Sequence, residues 1–594
     1  MKRDEIPEEY KWDIEHLYTD EADWERDCEY ALELADNFSA LSGRLAEDPA
    51  VLLRALRELD EMSRLAERVF VYARQKRDED NTLSKYQAMA DRAQTLLALI
   101  SARSAFFGPE VTAMSEDDIA GFKKACPELA DYDFALRQLM RQKPHMLSKP
   151  EEELLARLSE SLEATNDIFT MINNADMKFG EIKDEAGENV ELTHGNYIKF
   201  MESKNRGVRE AAYERLYRTF RKQRNTLAAT YAANVKTDII KAEIRHYNSS
   251  REAALSGDNV STAVYNNLIE TVGRYLPSLH DYLDVKRRAL GLEKLEFYDI
   301  YAPVAEPPDE KEIIFEEAVS IMIEALAPLG SGYVETCSRG ALNERWIDVC
   351  ENEGKTSGAY SFGCYDSKPY ILMNYVDGKG KLKDVFTLVH EMGHSMHSFY
   401  TRRSQPYTYG GHSIFTAEVA STVNETLLVE YLLKIAKTDA ERAYYLSLYL
   451  EEFRTTVFRQ TMFAEFEKLT HEASASGEAL TNEFLCGLYG GLVEKYHGPA
   501  VLADDNIRSE WSRIPHFYRS FYVYKYATGF SAAAAIARNL NPSDYLRFLS
   551  AGDSDDPIEL LKIAGVDMSE AEPIENAMKM FVTLAEELRE WVDR

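Results

Sequence analysis

Apolar residues recur at helical spacing over most of the chain. Residues 22–114 are rich in Leu, Ala, Arg and Glu, and apolar side chains return every three or four positions there, as over residues 52–59. This period matches the turn of an α-helix, so the sequence predicts a mainly α-helical protein. Four further tracts carry the same pattern: residues 146–169, about 197–290, 310–326 and 418–594.

Alternation with a period of two is confined to short segments. Residues 178–182 and 189–193 alternate on either side of a turn that contains Gly187, which predicts a β-hairpin. Three more short strands are predicted ahead of a helical pattern that begins near residue 382. They cover residues 345–349, 358–362 and 370–376.

Length and charge narrow the class of protein. A chain of 594 residues is expected to form about two to four domains. Its 45% hydrophobic and 29% charged residues are an ordinary globular balance. The net charge of −32 argues against binding to nucleic acid or to an anionic membrane, since both attract basic proteins. We expect neither a signal peptide nor a membrane span, because no long apolar run is present.

The six cysteines are far apart in the sequence and form no C-x-x-C pair. In a chain of this length, such spacing is typical of reduced thiols rather than of a disulfide framework. We therefore expect a cytoplasmic protein in which no cysteine is a metal ligand. The cysteines are Cys28, Cys126, Cys337, Cys350, Cys364 and Cys486.

A His-Glu-x-x-His motif lies in the helical pattern that starts near residue 382. Positions four apart share one face of a helix, so His390 and His394 can offer two imidazoles to one metal ion. Glu391 lies beside them, as suits a carboxylate that acts without binding the ion. With 12 His in the chain, chance would produce the motif about 0.03 times. Gly393 destabilises a helix interior by about 1 kcal/mol relative to Ala, which predicts a close approach by another element.

A third metal ligand must come from another element. Residues 409–413 form a Gly-rich break, and a second helical pattern begins near Thr416. Glu418 is the carboxylate nearest its start, and Glu425 lies on the same face two turns later. Two histidines and one glutamate would leave Zn²⁺ an open position for a water whose pKa falls to about 7. Alternatively, Glu418 is a carboxylate favoured by the helix dipole. His397 is too far along the helix to share an ion with His390, so we expect packing or a supporting role.

The segment around this motif is similar to known zinc peptidases. Residues 390–397, followed by residues 415–421, resemble the thimet-oligopeptidase-like zinc metallopeptidase family, and within it the oligoendopeptidase F group. The match spans nearly the whole chain and is most specific over residues 358–428. Three more stretches carry it: residues 358–361 with 369–375, residues 516–529 and residues 3–13.

The resemblance implies an architecture. It is that of a two-lobed helical zincin with a small β-sheet beside the active-site helix, a deep substrate groove and one Zn²⁺ per chain. It also implies an N-terminal helical region over residues 1–115 and an oligoendopeptidase F N-terminal lobe with the β-hairpin over residues 116–200. The catalytic zinc peptidase domain would follow over residues 201–594.

The resemblance further implies residues that assist catalysis. A tyrosine and a histidine from residues 516–526 are expected to face the zinc, with Tyr524 as the main donor to the oxyanion and His516 assisting. The spacing between His516 and Tyr524 is shorter than in thimet oligopeptidase, and which tyrosine of residues 518–526 donates stays open. The candidate substrate contacts are Tyr518, Tyr370 and His412.

Together these features predict a zinc-dependent endopeptidase that hydrolyses internal bonds of short, unstructured peptides, with Glu391 activating a zinc-bound water. The edge of the strand over residues 370–376 is expected to pair with the substrate backbone. One alternative is a non-catalytic helical scaffold with a structural zinc. The other is a zinc carboxypeptidase, which needs a carboxylate-binding Arg or Lys that the sequence does not place. The oligomeric state stays open.

Overall fold

The computed structural model of the chain describes residues 1–306 and 312–594. The chain divides into two compact units, each assembled from three separate stretches. The division predicted at residues 115 and 200 stays a prediction. Unit 1 comprises Met1–Met146, Glu310–Tyr431 and Ile536–Gly565, and unit 2 comprises Leu147–Asp309, Leu432–Ala535 and Val566–Arg594.

The prediction of a mainly α-helical protein is confirmed. The helices before residue 307 are α1 (Glu21–Ser39), α2 (Pro49–Glu79), α3 (Ser84–Ser104), α4 (Phe107–Ala113), α5 (Glu116–Ala125), α6 (Asp133–Gln142), α7 (Lys149–Thr170), α8 (His194–Met201), α9 (Arg206–Lys222), α10 (Arg224–Ile244), α11 (Ser250–Ser256), α12 (Thr262–Arg274) and α13 (Leu276–Ala289). Those after residue 311 are α14 (Phe315–Ala325), α15 (Ser331–Leu342), α16 (Leu382–Ser404), α17 (Ile414–Ile435), α18 (Asp439–Glu452), α19 (Arg459–Ala475), α20 (Asn482–His497), α21 (Tyr524–Arg538), α22 (Pro542–Leu549), α23 (Pro557–Ile563) and α24 (Glu572–Val592).

The helix predicted over residues 310–326 begins later than expected. Residues 310 and 311 lie outside the described residues, and α14 starts at Phe315 after a short strand. Within the described residues, each helix is too short or too polar to cross a lipid bilayer.

Strands are short and form small sheets, as the sequence predicts. They are β1 (Glu181–Lys183), β2 (Asn189–Glu191), β3 (Leu295–Glu296), β4 (Ile313–Ile314), β5 (Ile347–Cys350), β6 (Tyr360–Phe362), β7 (Tyr370–Tyr375), β8 (Lys379–Gly380) and β9 (Val501–Leu502). The predicted hairpin is confirmed, because β1 pairs antiparallel with β2 and places Ile182 opposite Val190. Gly187 has a φ of 84°, the left-handed conformation that the turn between these strands needs.

A three-stranded sheet in unit 1 has the strand order β5-β7-β6. β7 runs parallel to β5 and antiparallel to β6, so both of its sides are already hydrogen-bonded. The expectation that this strand offers a free edge is therefore wrong. Tyr370, its first residue, is fully buried, and its hydroxyl donates to the Asp13 carbonyl at 2.6 Å. In the described part of the sheet, β6 is the half-buried edge strand.

The sheet lies beside α16, the helix that carries the His-Glu-x-x-His motif. Ser395 of α16 donates to the Pro369 carbonyl at 3.1 Å, and its hydroxyl shares a 2.8 Å hydrogen bond with that of Ser361 on β6. The Ser395 hydroxyl thus connects α16 both to the backbone just before β7 and to a side chain of β6. This contact fixes β6 against the face of the helix next to the motif.

Unit 2 packs around aromatic side chains. Tyr231 of α10 stacks on Phe466 of α19 with ring centroids 5.9 Å apart, and Phe517 lies 5.9 Å from the first ring and 5.1 Å from the second. The Tyr231 hydroxyl shares a 2.8 Å hydrogen bond with Thr470. Aromatic rings contribute large buried areas, and the hydroxyl of a buried tyrosine needs such a partner.

Candidate metal centre

Helix α16 presents His390 and His394 on one face, as the spacing predicts. Their Nε2 atoms are 3.2 Å apart, and the two side chains are partly buried. The helix begins just after Lys381, whose backbone N–H donates to the Asp384 carboxylate at 2.7 Å. A carboxylate at this position satisfies one of the free N–H groups of the first turn and fixes where the helix starts.

Glu418 of α17 completes a three-residue cluster with these histidines. Its Oε2 lies 3.8 Å from Nε2 of His390 and 3.9 Å from Nε2 of His394. Four ligands at 2.0–2.1 Å around a tetrahedral zinc ion are about 3.3 Å from each other, so these separations fit such an ion after small side-chain movements. Among the described His, Cys, Asp and Glu side chains, these three lie close enough together to hold one metal ion, with ligand atoms within 4.8 Å of one another.

Gly393 explains how α17 comes near enough to supply Glu418. A Cβ atom at this position would lie 2.6 Å from Ser421 Cα and 2.8 Å from the Ala420 carbonyl oxygen, both on α17. Because both are backbone atoms, they cannot move aside as the end of a flexible side chain could. The close approach that the sequence predicts from a helical glycine is confirmed.

Glu425 supports the cluster from the other side of His390. Its Oε1 lies 3.1 Å from His390 Nδ1, so the ring can donate from Nδ1 and keep Nε2 directed at Glu418. A carboxylate behind a histidine ligand fixes its tautomer and orientation. The sequence predicts that Glu425 lies on the same helix face as Glu418, because the two are seven residues, or two helical turns, apart. It does not predict the contact of Glu425 with His390.

The carboxylates around His390 favour a positive charge at this position. Burial alone would lower the pKa of His390, but the hydrogen bond with Glu425 and the surrounding carboxylates raise it to about 9. Burial and the neighbouring His390 lower the pKa of His394 to about 3. Two imidazoles and a carboxylate in such surroundings form a donor set that fits Zn²⁺.

Glu391 lies beside the cluster, with its side chain buried. Burial raises the pKa of its carboxyl above the ordinary value, while His390 and a hydrogen bond from the Ser361 backbone lower it. Ser361 belongs to β6, so the edge strand and the carboxylate are in direct contact. Glu391 therefore lies buried between the three-residue cluster and the edge strand β6.

His397 and His412 form a separate pair behind the cluster in unit 1. Their rings stack with centroids 4.1 Å apart and an angle of 18°. Burial lowers the pKa of both rings, that of His412 to about 4, so the pair is neutral at pH 7. His397 is 1% exposed, in agreement with the packing role expected for it. The substrate contact proposed for His412 stays a prediction.

The remaining candidate residues belong to unit 2. Tyr524 begins α21, is fully buried and packs against Tyr265 at 5.2 Å. Tyr518 stacks on Phe169 at 4.5 Å. His516 is half-buried on a short helical turn, where its Nε2 lies 3.5 Å from the Tyr526 hydroxyl. The roles of Tyr524, His516 and Tyr518 towards a substrate stay predictions.

Comparison with known proteins identifies the family. The profile of Peptidase family M3 matches residues 199–580, and the profile described as Oligopeptidase F matches residues 110–179. Oligopeptidase PepF of Bacillus subtilis (strain 168) is 43% identical over 99% of this chain and 88% of its own length. An oligoendopeptidase F homolog of Lactococcus lactis subsp. lactis (strain IL1403) is 41% identical over 100% of this chain and 99% of its own.

A solved structure agrees with these sequence relatives. The crystal structure of oligoendopeptidase-F from Enterococcus faecium matches with a TM-score of 0.75 and 38% identity, over 97% of this chain and 99% of that chain. The family profile covers the helices that carry the His-His-Glu cluster. This chain therefore belongs to peptidase family M3 and is a metalloendopeptidase of that family.

Proposed function

We propose that this protein is a zinc-dependent endopeptidase that hydrolyses internal bonds of short, unstructured peptides. The observation that carries the proposal is the cluster of His390, His394 and Glu418, whose ligand atoms are separated by 3.2–3.9 Å. These three residues would hold the zinc ion, one per chain. When bound, the ion supplies a Lewis acid that polarises a carbonyl and makes a water molecule more acidic.

Glu391 is the proton carrier in this proposal. Its carboxylate takes a proton from the attacking water and then delivers it to the leaving amine nitrogen. Its contact with β6 supports this role, because a substrate that extends along β6 would carry its scissile bond past the carboxylate. Burial raises the pKa of the Glu391 carboxyl, which makes the carboxylate a stronger base towards the attacking water.

The substrate backbone is proposed to pair with β6 rather than with β7. An extended peptide can add a strand to a free sheet edge through main-chain hydrogen bonds, which depend little on the side chains of the peptide. We therefore expect broad side-chain preference. The names of the relatives, oligopeptidase and oligoendopeptidase, support short peptides as substrates and internal bonds as the site of cleavage.

Side chains of residues 516–526, which lead into α21 and form its first turn, are proposed to stabilise the oxyanion. Tyr524 is the first candidate by resemblance, with His516 and Tyr518 assisting. Tyr526 is a second candidate because its hydroxyl approaches His516. A hydroxyl that donates to the developing oxyanion is worth more in a site that excludes water. We also propose that the protein is cytoplasmic, in keeping with its six free cysteines.

A peptide-digestion experiment tests this function. Purified protein is incubated with a mixture of short peptides with and without a chelator, zinc content is measured by elemental analysis, and products are read by mass spectrometry. We expect internal cleavage that the chelator abolishes and added zinc restores. Glu391→Gln should keep one zinc but lose about 10²–10⁴-fold in kcat, the usual contribution of general acid–base catalysis.

Each result separates the alternatives. A helical scaffold with a structural zinc would bind the metal and leave all peptides intact. A carboxypeptidase would release single C-terminal residues. Glu391→Gln with activity within tenfold of the wild type would remove this carboxylate from the mechanism, whereas Glu418→Ala with a full equivalent of zinc would remove the third ligand.

A further inference from the structure

Unit 2 contains a small cavity that three arginine side chains line. They are Arg454, which follows α18, Arg459 at the start of α19, and Arg513, which lies on a short turn after α20. Tyr301 also lines the cavity, and Arg454 lies over its ring at 5.0 Å. We call this space the arginine cavity. All of its lining residues belong to unit 2, which lacks the His-His-Glu cluster.

Two carboxylates face these arginines. Glu510 accepts from Arg459 at 2.7 Å and from Arg513 at 2.8 Å. Glu451 accepts from Arg454 Nε at 2.9 Å and also from the buried ammonium of Lys286 at 2.9 Å. Each carboxylate therefore serves two cations, an arrangement that leaves positive charge in excess.

Positive charge exceeds negative charge among the three arginines and the carboxylates that pair with them. The arginines hold the pKa of Glu451 and of Glu510 at about 2 against the opposing effect of burial, so both are ionised. Guanidinium groups do not lose their protons in proteins. Among the described residues, three guanidinium groups thus oppose two carboxylates, a net charge of +1 even if Lys286 is neutral.

The other polar groups of the wall add no negative charge. Burial lowers the pKa of His497 to about 4, so this ring is neutral at pH 7. Burial raises the pKa of the lining tyrosines Tyr197, Tyr213 and Tyr217, so they remain protonated. Two carboxylates lie behind the wall: Asp299 pairs with Arg209 at 2.7 Å and with Arg206 at 2.9 Å, and Asp504 accepts from the Tyr213 hydroxyl at 2.7 Å. Their two negative charges equal the two positive charges of these arginines, so the groups behind the wall leave the excess charge unchanged. The Arg454 side chain is 3% exposed and those of Arg459 and Arg513 are 19% and 18% exposed, so the charge is largely buried. A largely buried net charge is unfavourable unless an opposite charge accompanies it.

One arginine also has an unused donor. Arg454 has a side chain that is 3% exposed, and its Nη2 makes no hydrogen bond within the described residues. This nitrogen lies 2.7 Å from Glu451 Oε2, but at an angle outside the range of a hydrogen bond. A buried N–H without an acceptor destabilises the fold, and native structures usually supply one from water or an ion.

The size of the cavity limits what can fill it. The centre of a water-sized particle has about 20 Å³ in which to move there, which is about enough for one water molecule or one monatomic ion. A phosphate or a peptide carboxylate needs more room than this. A water molecule would fit and would accept the spare hydrogen bond, but it would leave the net charge uncompensated.

We infer that the arginine cavity of unit 2 binds a single small monovalent anion of the size of chloride. The anion accepts a hydrogen bond from the spare N–H of Arg454. It also neutralises the positive charge of the three arginines that Glu451 and Glu510 do not balance. Binding there stabilises unit 2, so the stability of the protein depends on the identity of the anion in solution as well as on ionic strength. This inference does not rest on the proposed peptidase reaction.

Bromide diffraction tests the site directly. Crystals of the full-length wild-type protein, grown in a buffer free of carboxylates, are soaked in sodium bromide, and data are collected at the bromine absorption edge. We expect an anomalous peak inside the cavity within hydrogen-bonding range of the three guanidinium groups. A cavity with no anomalous peak, or peaks confined to the protein surface, would overturn the inference.

Thermal unfolding tests the consequence in solution. Chloride replaces gluconate at constant ionic strength, and Tm is recorded as a function of chloride concentration. We expect a saturable rise of Tm for the wild type and for Arg209→Gln, a control that removes a buried arginine which pairs with Asp299 outside the cavity. Arg454→Gln should lose the rise. A chloride response retained by Arg454→Gln would contradict the assignment, and if this variant does not fold, the bromide peak in the wild type decides.

Discussion

At the residue scale, three glutamates near the motif make different contacts. Glu418 directs an oxygen at both histidines, Glu425 contacts Nδ1 of His390, and Glu391 lies buried against Ser361. The same side-chain type can therefore act as a ligand, as a support for a ligand and as a proton carrier. Its surroundings decide which, and so each substitution has a different expected effect.

Glu425→Ala should weaken zinc binding without removing a ligand. The contact with His390 Nδ1 fixes the ring, and loss of such a supporting carboxylate typically lowers metal affinity about 10–100-fold. Competition with a chromogenic chelator measures the change, and Glu430→Ala on the exposed side of α17 is the matched control. Equal zinc affinity for both variants would show that the Glu425 contact does not support the metal.

The tyrosines of residues 518–526 can be separated by kinetics. The tyrosine that donates to the oxyanion should lose about 10²–10³-fold in kcat when it is replaced by phenylalanine. We expect this loss for Tyr524→Phe and compare it with Tyr526→Phe. A tyrosine that only packs should lower Tm and leave kcat unchanged. If Tyr524→Phe alters KM alone, the residue binds substrate and the donor lies elsewhere in the segment.

At the element scale, the site depends on how closely α16 and α17 approach. Each helix carries part of the cluster, so their separation sets the distance from Glu418 to the histidines. The sheet holds α16 from another side through Ser395 and Ser361. Sequence periodicity places each ligand on a helix face but does not fix the distance between helices.

Gly393→Ala tests the importance of this approach. The added Cβ would lie 2.6 Å from Ser421 Cα, so the helices must move apart. Overpacking of this kind typically destabilises a protein by about 1–3 kcal/mol, and here it should also lower zinc affinity. Denaturant unfolding and chelator competition measure the two effects.

Gly487→Ala on α20 is the control for that experiment. A Cβ at Gly487 has open space around it, so alanine should stabilise the helix slightly through its higher helix propensity. Equal behaviour of the two variants would mean that the contact between α16 and α17 does not position the cluster.

At the scale of the whole molecule, the proposed pairing of the substrate with β6 would select peptides that can form an extended strand. A peptide can pair with β6 only if its own backbone hydrogen bonds are free, which is true of unfolded peptides and not of the interior of a folded protein. The net charge of −32 keeps the surface repulsive towards other acidic chains. Selection by backbone availability requires no particular side chain.

A length series tests this selection. Peptides of one sequence and increasing length are digested beside a natively folded protein and its chemically unfolded form. We expect internal cleavage of the short peptides and no cleavage of the folded protein, with mass spectrometry as the readout. Rapid, zinc-dependent degradation of the folded protein would contradict selection by an available strand.

Local patterns predicted much of the fold and the site. The hairpin of β1 and β2 followed from alternation around Gly187, and the two histidines followed from their four-residue spacing on a helix. Glu418 required a further step, because a turn in the chain had to be assumed from the glycines before α17. Both steps depend on local geometry, which neighbouring residues in the sequence control.

The sequence by itself determined the helical class, the family and the identity of the three candidate ligands, because each of these depends on residue types and their spacing. The tertiary structure decided which sheet strand is the edge. Alternation predicts that residues 370–376 form a strand, but β7 lies in the middle only because β5 and β6 pair with it from different parts of the chain. It likewise decided the contact of Glu425 with His390 and the convergence of Arg454, Arg459 and Arg513. Such distances arise from packing between elements, and no local period in the sequence records them.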